Sequence, residues 1–319
     1  MRRLALVLAL MALVPATVPA GGGPPPPPDR GTLVLALLNP ERIAVVDVAT
    51  GQTAEQRLPG GTLCRSRLHV VGDRIVYLQP GTPYGRVMSI DLALRERPRL
   101  VGRADVMVPS ADPRRLWLGV RTDRGRLRMR EAWVASRFAP RARHTAPAAP
   151  LLGAVPDGLV LGGRRSTFVY DPQTGRRLRG TPGAFVIATR GSRIATCGGA
   201  CTTLLLADGR EGRLVHAPDG AHFIATDGSF SADGALAAVP IGPWTRPRLA
   251  LVDAAAATSR AVPELRLGAY MATGWSPSAR LLYAAGPGGR ILSYAPGDPR
   301  PEPVGLRLAS PVMQLLVAE

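Results

Sequence analysis

The chain has 319 residues with 36 Gly, 32 Pro, 3 Cys and 4 His, and a formal net charge of +17. A hydrophobic content of 46% excludes wholesale disorder or a collagen-like chain, and three cysteines exclude a disulfide scaffold. The charge does not by itself point to nucleic acid: all 40 basic residues are Arg, a usage that reflects a GC-rich coding sequence, and aromatic platforms for bases are scarce at 5%.

At the amino terminus Arg2 and Arg3 precede an apolar run over residues 4–14, followed by Pro15 and the small-residue ending Val18-Pro19-Ala20. This is the plan of a secretory signal peptide, with cleavage expected after Ala20. The stretch from Leu4 to Ala20 is 17 residues and holds two prolines. It falls short of the ~20 residues a spanning helix needs. No Cys follows the run, so no lipid-modified terminus is expected. Residues 21–30 open with GGGPPPPP and read as a tether. Residues 31–319 are then expected to lie outside the cytoplasm, secreted or associated with the cell envelope.

Beyond the tether, short apolar runs recur between two kinds of turn. One kind leads into an apolar run: Gly72-Asp73-Arg74, Ala111-Asp112-Pro113, Pro156-Asp157-Gly158, Gly191-Ser192-Arg193, Ala232-Asp233-Gly234 and Pro277-Ser278-Ala279. From Asp73 to Ser278 these turns recur five times over 205 residues, a mean step of 41. The second kind follows the next run, as in Asp47 to Gly51, Asp91, Asp171 to Gly175, Asp208-Gly209 and Asp253. Asp and Gly suit such places because side-chain capping and positive φ close tight hairpins. Two interleaved turn series with one shared period describe a four-stranded unit per repeat, the blade of a β-propeller. No sustained 3.6-residue periodicity appears after residue 30, and 254–257, the one alanine run, sits at a hairpin turn.

The fold class expected is therefore all-β, a seven-bladed β-propeller. Residues 61–102, 103–146, 147–181, 182–217, 218–264 and 265–306 each supply a full blade of strands A (innermost) to D. Residues 31–59 hold only three strands, TLVLALL, RIAVVDV and TAEQRL, and the carboxyl end has one to spare, PVMQLLVA at 311–318. Pairing that terminal strand with the amino-terminal three completes a seventh blade and closes the ring without an unpaired inner edge.

ERIAVVDVATGQ at 41–52, FSADGALAAV at 230–239 and WSPSARLLYAAG at 275–286 resemble the strand and turn units of bacterial exported propellers of the TolB-like, WD-like or YVTN type. The resemblance covers roughly residues 31–318 and implies the propeller fold. The chain lacks the Trp-Asp series and the YVTN tetrapeptide, and it has no room for the α/β domain that precedes the propeller in TolB. No TolB role is carried over, since fold alone does not assign function.

Ligands of propellers commonly use the face of the D–A and B–C loops. Most turn aspartates fall on the opposite face, as turn-formers. On the candidate face the B–C loops hold Tyr84, Arg121, Asp123, Arg124, Trp244 and Arg246. The D–A connections hold Arg103, Asp105, His144, His216, Asp219 and His222. His216, Asp219 and His222 share one short connection but no regular element aims them at a common point, so no metal is expected. No nucleophile elbow, calcium loop or phosphate-cradling glycine motif is present, and no cofactor is expected. Cys197 and Cys201, in CGGAC, flank a B–C hairpin and are expected to form a disulfide. Cys64 is expected to pack on a strand. In RLRMREAWV, Arg126, Arg128 and Arg130 fall on one side of a strand and Leu127, Met129 and Trp133 on the other.

These features describe a monomeric, non-catalytic extracytoplasmic binding module for a protein or an anionic envelope polymer or surface. The alternative is a propeller enzyme, a hydrolase, lyase or quinone-type dehydrogenase, with residues drawn from several blades to the channel mouth.

Overall fold

The computed structural model describes residues 31–318 except 66, 111, 113, 123–125, 134–143, 147, 148, 164, 184, 210 and 227, and excepting the side chains of 64, 65, 133 and 144–146. The proposed signal peptide and tether, Asp123 and Arg124 lie outside the described residues.

The strands form seven four-stranded antiparallel sheets arranged as a propeller. Blade one combines Val312–Ala318 as inner strand A with Thr32–Leu37, Arg42–Asp47 and Thr53–Arg57 as B, C and D. Blade two runs from His69–Val71 out to Arg99–Ala104, and blade three from Val106–Pro109 to His144–Ala146. Blade four runs from Leu151–Val155 to Arg177–Pro182, and blade five from Phe185–Arg190 to Glu211–His216. Ser229–Phe230 and Thr258–Arg266 bound blade six, and Thr273–Trp275 and Glu302–Arg307 bound blade seven.

Burial explains which runs were apolar throughout and which alternated. Strand B of blade one, TLVLAL, is buried at five successive positions, because neighbouring blades cover both of its faces. Outer strand D, TAEQR, alternates exposed and half-buried residues, because one of its faces meets water. The C–D turns use the chemistry their sequences suggest. Asp47 Oδ1 accepts the backbone N–H groups of Ala49 (2.8 Å) and Thr50 (3.2 Å), and Gly51 takes φ +72°. Asp171 with Gly175 and Asp253 with Ala255 and Ala256 repeat the device.

Ring closure follows the expected register, from Thr32 opposite Ala318 to Leu37 opposite Val312, with one irregularity after Ala36. A second lock is added by Gln314. Its Oε1 accepts the backbone N–H of Leu68 and its Nε2 donates to the Leu68 carbonyl, both at 2.8 Å. This amide holds the entry of blade two against the last strand of the chain.

One expectation fails locally. Cys64 lies in a single helical turn, Thr62–Arg65, rather than on a strand. The crossing from blade one to blade two is long enough to coil, and Glu41 Oε2 accepts the turn's first N–H groups, from Thr62 (2.7 Å) and Leu63 (3.2 Å).

Candidate binding face

Strand direction sorts the loops onto two faces around a central channel of about 1450 Å³ lined by the seven inner strands. The A–B and C–D turns share one face, and the B–C loops and D–A connections share the other. Several carboxylates of the first face are held in ion pairs. Ion pairs join Arg74 to Glu96 (3.0 Å), Arg115 to Glu131 (2.9 Å) and Asp112 (3.0 Å), Arg179 to Asp157 (2.9 Å), and Arg193 to Asp208 (3.1 Å). Hydrogen bonds from Ser192 and Arg193 hold the Asp208 carboxyl below its usual range, and Ser231 and the Ala235 N–H do the same for Asp233. Arg190 Nε also donates to the Ala232 carbonyl at 3.2 Å, and Arg193 Nη1 to that of Gly234, so blade five grips blade six here.

The B–C and D–A face is different. Its described acids are Glu41, Asp105, Asp219 and Glu264. Glu41 caps the helical turn, and Asp105 Oδ2 accepts the Arg121 N–H at 2.6 Å while its own N–H donates to the Gly119 carbonyl at 2.8 Å. Asp105 therefore ties a D–A connection to a B–C loop.

The residues singled out from the sequence fall into two sectors of this face. Tyr84, Arg103, Asp105, Arg121, Arg126, Arg128 and Arg130 belong to blades two and three. His216, His222, Trp244 and Arg246 belong to blades five and six. In the first sector Leu127 and Met129 are buried while Arg126 and Arg128 are exposed, as the alternation implies. Arg130 is half-buried and leans back on blade two, donating from Nη2 to the Arg103 carbonyl at 3.0 Å. It can do so because residue 102 is Gly: a Cβ there would lie 2.8 Å from that nitrogen. Burial pulls the Arg130 pKa below its ordinary value. Arg126 and Arg128 thus face solvent, and Arg130 is also an inter-blade tie. His144 sits on outer strand D opposite Met129 rather than in a connection, and Arg103 and His216 likewise lie at the ends of outer strands, opposite Arg86 and Thr203.

In the second sector, Cys197 and Cys201 form the expected disulfide, S–S 2.04 Å, across the B–C hairpin of blade five. The Cys201 carbonyl accepts the Phe223 N–H at 2.8 Å and seats the following D–A connection. Within that connection the His222 carbonyl accepts the Gly242 N–H at 2.8 Å, which joins it to the loop carrying Trp244 and Arg246. The His216 ring lies 3.4 Å from Thr203 Oγ1, and among the described residues no three His, Cys, Asp or Glu side chains gather to hold a metal.

Three features were not read from the sequence. His69 opens inner strand A of blade two beside the channel, where burial and the Arg67 charge push its pKa down to about 4. Tyr270 is 44% exposed in the D–A connection next to the loop of Trp244, itself 62% exposed. The third is a set of cross-strand pairs at the ends of the outer C–D hairpins: Arg42 opposite Arg57, Arg86 opposite Arg103, Arg248 opposite Arg266 and Arg290 opposite Arg307. The register that pairs them is set by contacts between strands and is not visible in the sequence.

Among the described residues no helix is long and apolar enough to cross a membrane. No protein-family model and no curated protein matches the chain. Solved structures do. The chain is similar to AztD from Citrobacter koseri (9% identity, TM-score 0.57, covering 90% of this chain and 97% of that one). It is similar to a putative 6-phosphogluconolactonase from Bacteroides uniformis (12% identity, TM-score 0.55, covering 90% and 99%). TolB from Acinetobacter baumannii also matches at 13% identity and a TM-score of 0.48, with the chain covering 66% of TolB's length. Proteins of different function share this architecture, and the likeness to them is a likeness of fold: this chain is a seven-bladed β-propeller.

Proposed function

We propose that this chain is an extracytoplasmic, non-catalytic propeller that binds an anionic partner across the face of its B–C loops and D–A connections. The observation that carries this reading is the segregation of charge between the two faces. Turn aspartates and ion-paired acids occupy the A–B and C–D face, whereas exposed arginines such as Arg121, Arg126 and Arg246 stand on the other face with no carboxylate partner among the described residues. A cluster of uncompensated cations raises the local concentration of anions and speeds their encounter. The signal-peptide pattern and a disulfide, which persists in oxidising compartments, support a location outside the cytoplasm.

The test is polyglutamate binding by the full chain, by R121Q/R126Q/R246Q and by R114Q/R177Q/R280Q from the opposite face. The first triple variant should bind more weakly and the second should match the parent. Affinity should fall as salt rises from about 0.05 to 0.5 M, because these contacts are exposed and screened. Equal loss from both triple variants, or binding insensitive to salt, contradicts the reading.

A further inference from the structure

The paired arginines extend the proposed function and rest on it, because they lie on the same face. In an antiparallel hairpin, directly opposite residues place their side chains on one side of the sheet, and like charges there repel. Four hairpins nevertheless end in such a rung: Arg248–Arg266 in blade six, Arg290–Arg307 in blade seven, Arg42–Arg57 in blade one and Arg86–Arg103 in blade two. Arg42 is half-buried, with Glu55 at 3.3 Å and Ser310 Oγ at 3.2 Å. The other seven are exposed and, among the described residues, form no ion pair.

Because the ring closes through the terminal strand, these four blades are consecutive neighbours. The equivalent rungs elsewhere are Leu127–Ala146, Ser166–Pro182 and Thr203–His216. The repulsive pairs therefore form one arc, not a scatter. At one end of that arc, exposed Trp244 and Tyr270 lie in adjoining loops. The Leu267 N–H donates to the Pro247 carbonyl (2.9 Å) and the Gly268 N–H to the Ala285 carbonyl (2.8 Å), so Tyr270 sits between the B–C loops of blades six and seven.

A row of cationic rungs one blade apart suits a partner whose anionic groups recur along a chain. Arg recognises carboxylates bidentately. Exposed aromatic rings beside it provide flat apolar surface for the faces of sugar rings, which a polyphosphate lacks. We propose that the arc of blades six, seven, one and two is a binding track for a linear acidic polysaccharide, its uronate carboxylates meeting the Arg rungs and its sugar faces meeting Trp244 and Tyr270.

The experiment uses the full chain with polygalacturonate, and with polyphosphate, a single-stranded oligonucleotide and neutral dextran as comparison ligands. The variants are R248Q/R266Q, R290Q/R307Q, W244A/Y270A and, outside the arc, R121Q/R126Q; all substitute exposed residues. Each rung variant should weaken polygalacturonate binding about tenfold, the effect of removing two exposed charge contacts. W244A/Y270A should weaken it about fivefold while leaving polyphosphate binding within about twofold of the parent. Polyphosphate or the oligonucleotide binding as tightly as polygalacturonate, or dextran matching it, overturns the assignment. Polyanion binding that survives both rung variants but is lost in R121Q/R126Q overturns the track and leaves the anion-binding face standing. A parent chain that binds none of the polyanions overturns both.

Discussion

Replacing Gln314 with Ala tests how the ring is held shut. The Gln314 side chain satisfies both peptide groups of Leu68 at 2.8 Å, and Leu68 is fully buried. Truncation leaves a buried N–H and a buried C=O without partners, and each such group costs about 1–3 kcal/mol. Partial rehydration at the cut makes the lower half of that range the better guide, so the loss should be roughly 2–4 kcal/mol. For a chain of this size that lowers the melting temperature by roughly 3–7 °C. Gln314→Asn should behave like the Ala variant, because an amide one methylene shorter cannot span both groups. The assay is urea denaturation followed by tryptophan fluorescence, read as a shift in midpoint at unchanged slope. Gln56→Ala is the reference: that amide donates only to the adjoining Arg57 carbonyl at 3.1 Å, and its loss should stay within about 0.5 kcal/mol. If Gln314→Ala is as mild as Gln56→Ala, the clamp does not secure the closure.

Deleting residues 311–319 should do far more than fray an end. It removes buried Val312, Leu315 and Ala318 and bares the edge of Thr32–Leu37, so limited proteolysis should cut within blade one and light scattering should rise. Cys197→Ser/Cys201→Ser should lower stability by about 2 kcal/mol on the chain-entropy estimate for so short a loop, measured against the parent with and without reductant. His69 supplies a pH dependence. Its folded pKa, about 4, lies below the ordinary histidine value of 6.5, so above 6.5 both states are neutral and the residue contributes nothing. As pH falls from about 6.5 to 4 the unfolded chain takes up a proton that the folded chain refuses, and stability should decline by up to about 3 kcal/mol. His69→Asn should flatten that part of the stability–pH curve; an unchanged slope would show that His69 is solvated in the folded ring.

The blades were legible because turn chemistry is local. Asp47, Asp171 and Asp253 each cap the backbone within three residues of themselves, so the same short pattern marks these C–D turns. Closure was legible for a different reason: a count of strands left the amino-terminal blade one strand short and the carboxyl end with one to spare. What stayed hidden depends on pairs distant in sequence. Gln314 and Leu68 are 246 residues apart, and nothing around either residue announces the other. Arg130 reads as a surface residue from its alternation, yet Gly102 on the neighbouring blade opens the space that draws it inward. Cys64 was misplaced because Glu41, which caps its turn, comes from the previous hairpin. His69 went unremarked because being the first residue of an inner strand matters only once the channel exists.

The asymmetry of charge has a part that needs no function and a part that does. Tight A–B and C–D turns demand Asp for capping, so acids collect on that face in any propeller built this way. In a chain whose basic residues are all Arg, the remaining loops then become cationic by default. Face-wide segregation is therefore the weaker indicator. Composition does not produce the rungs: with Arg at 40 of 319 positions, a matched Arg pair should occupy roughly one rung in sixty. Four of the seven outer hairpins end in one, all in neighbouring blades, and cross-strand like charges disfavour folding. Turn formation gains nothing from them, and neither does blade packing, since seven of the eight side chains are exposed. A repulsion repeated at one structural position along one arc is what an anionic ligand would relieve. That places the functional weight on the rungs rather than on the net charge.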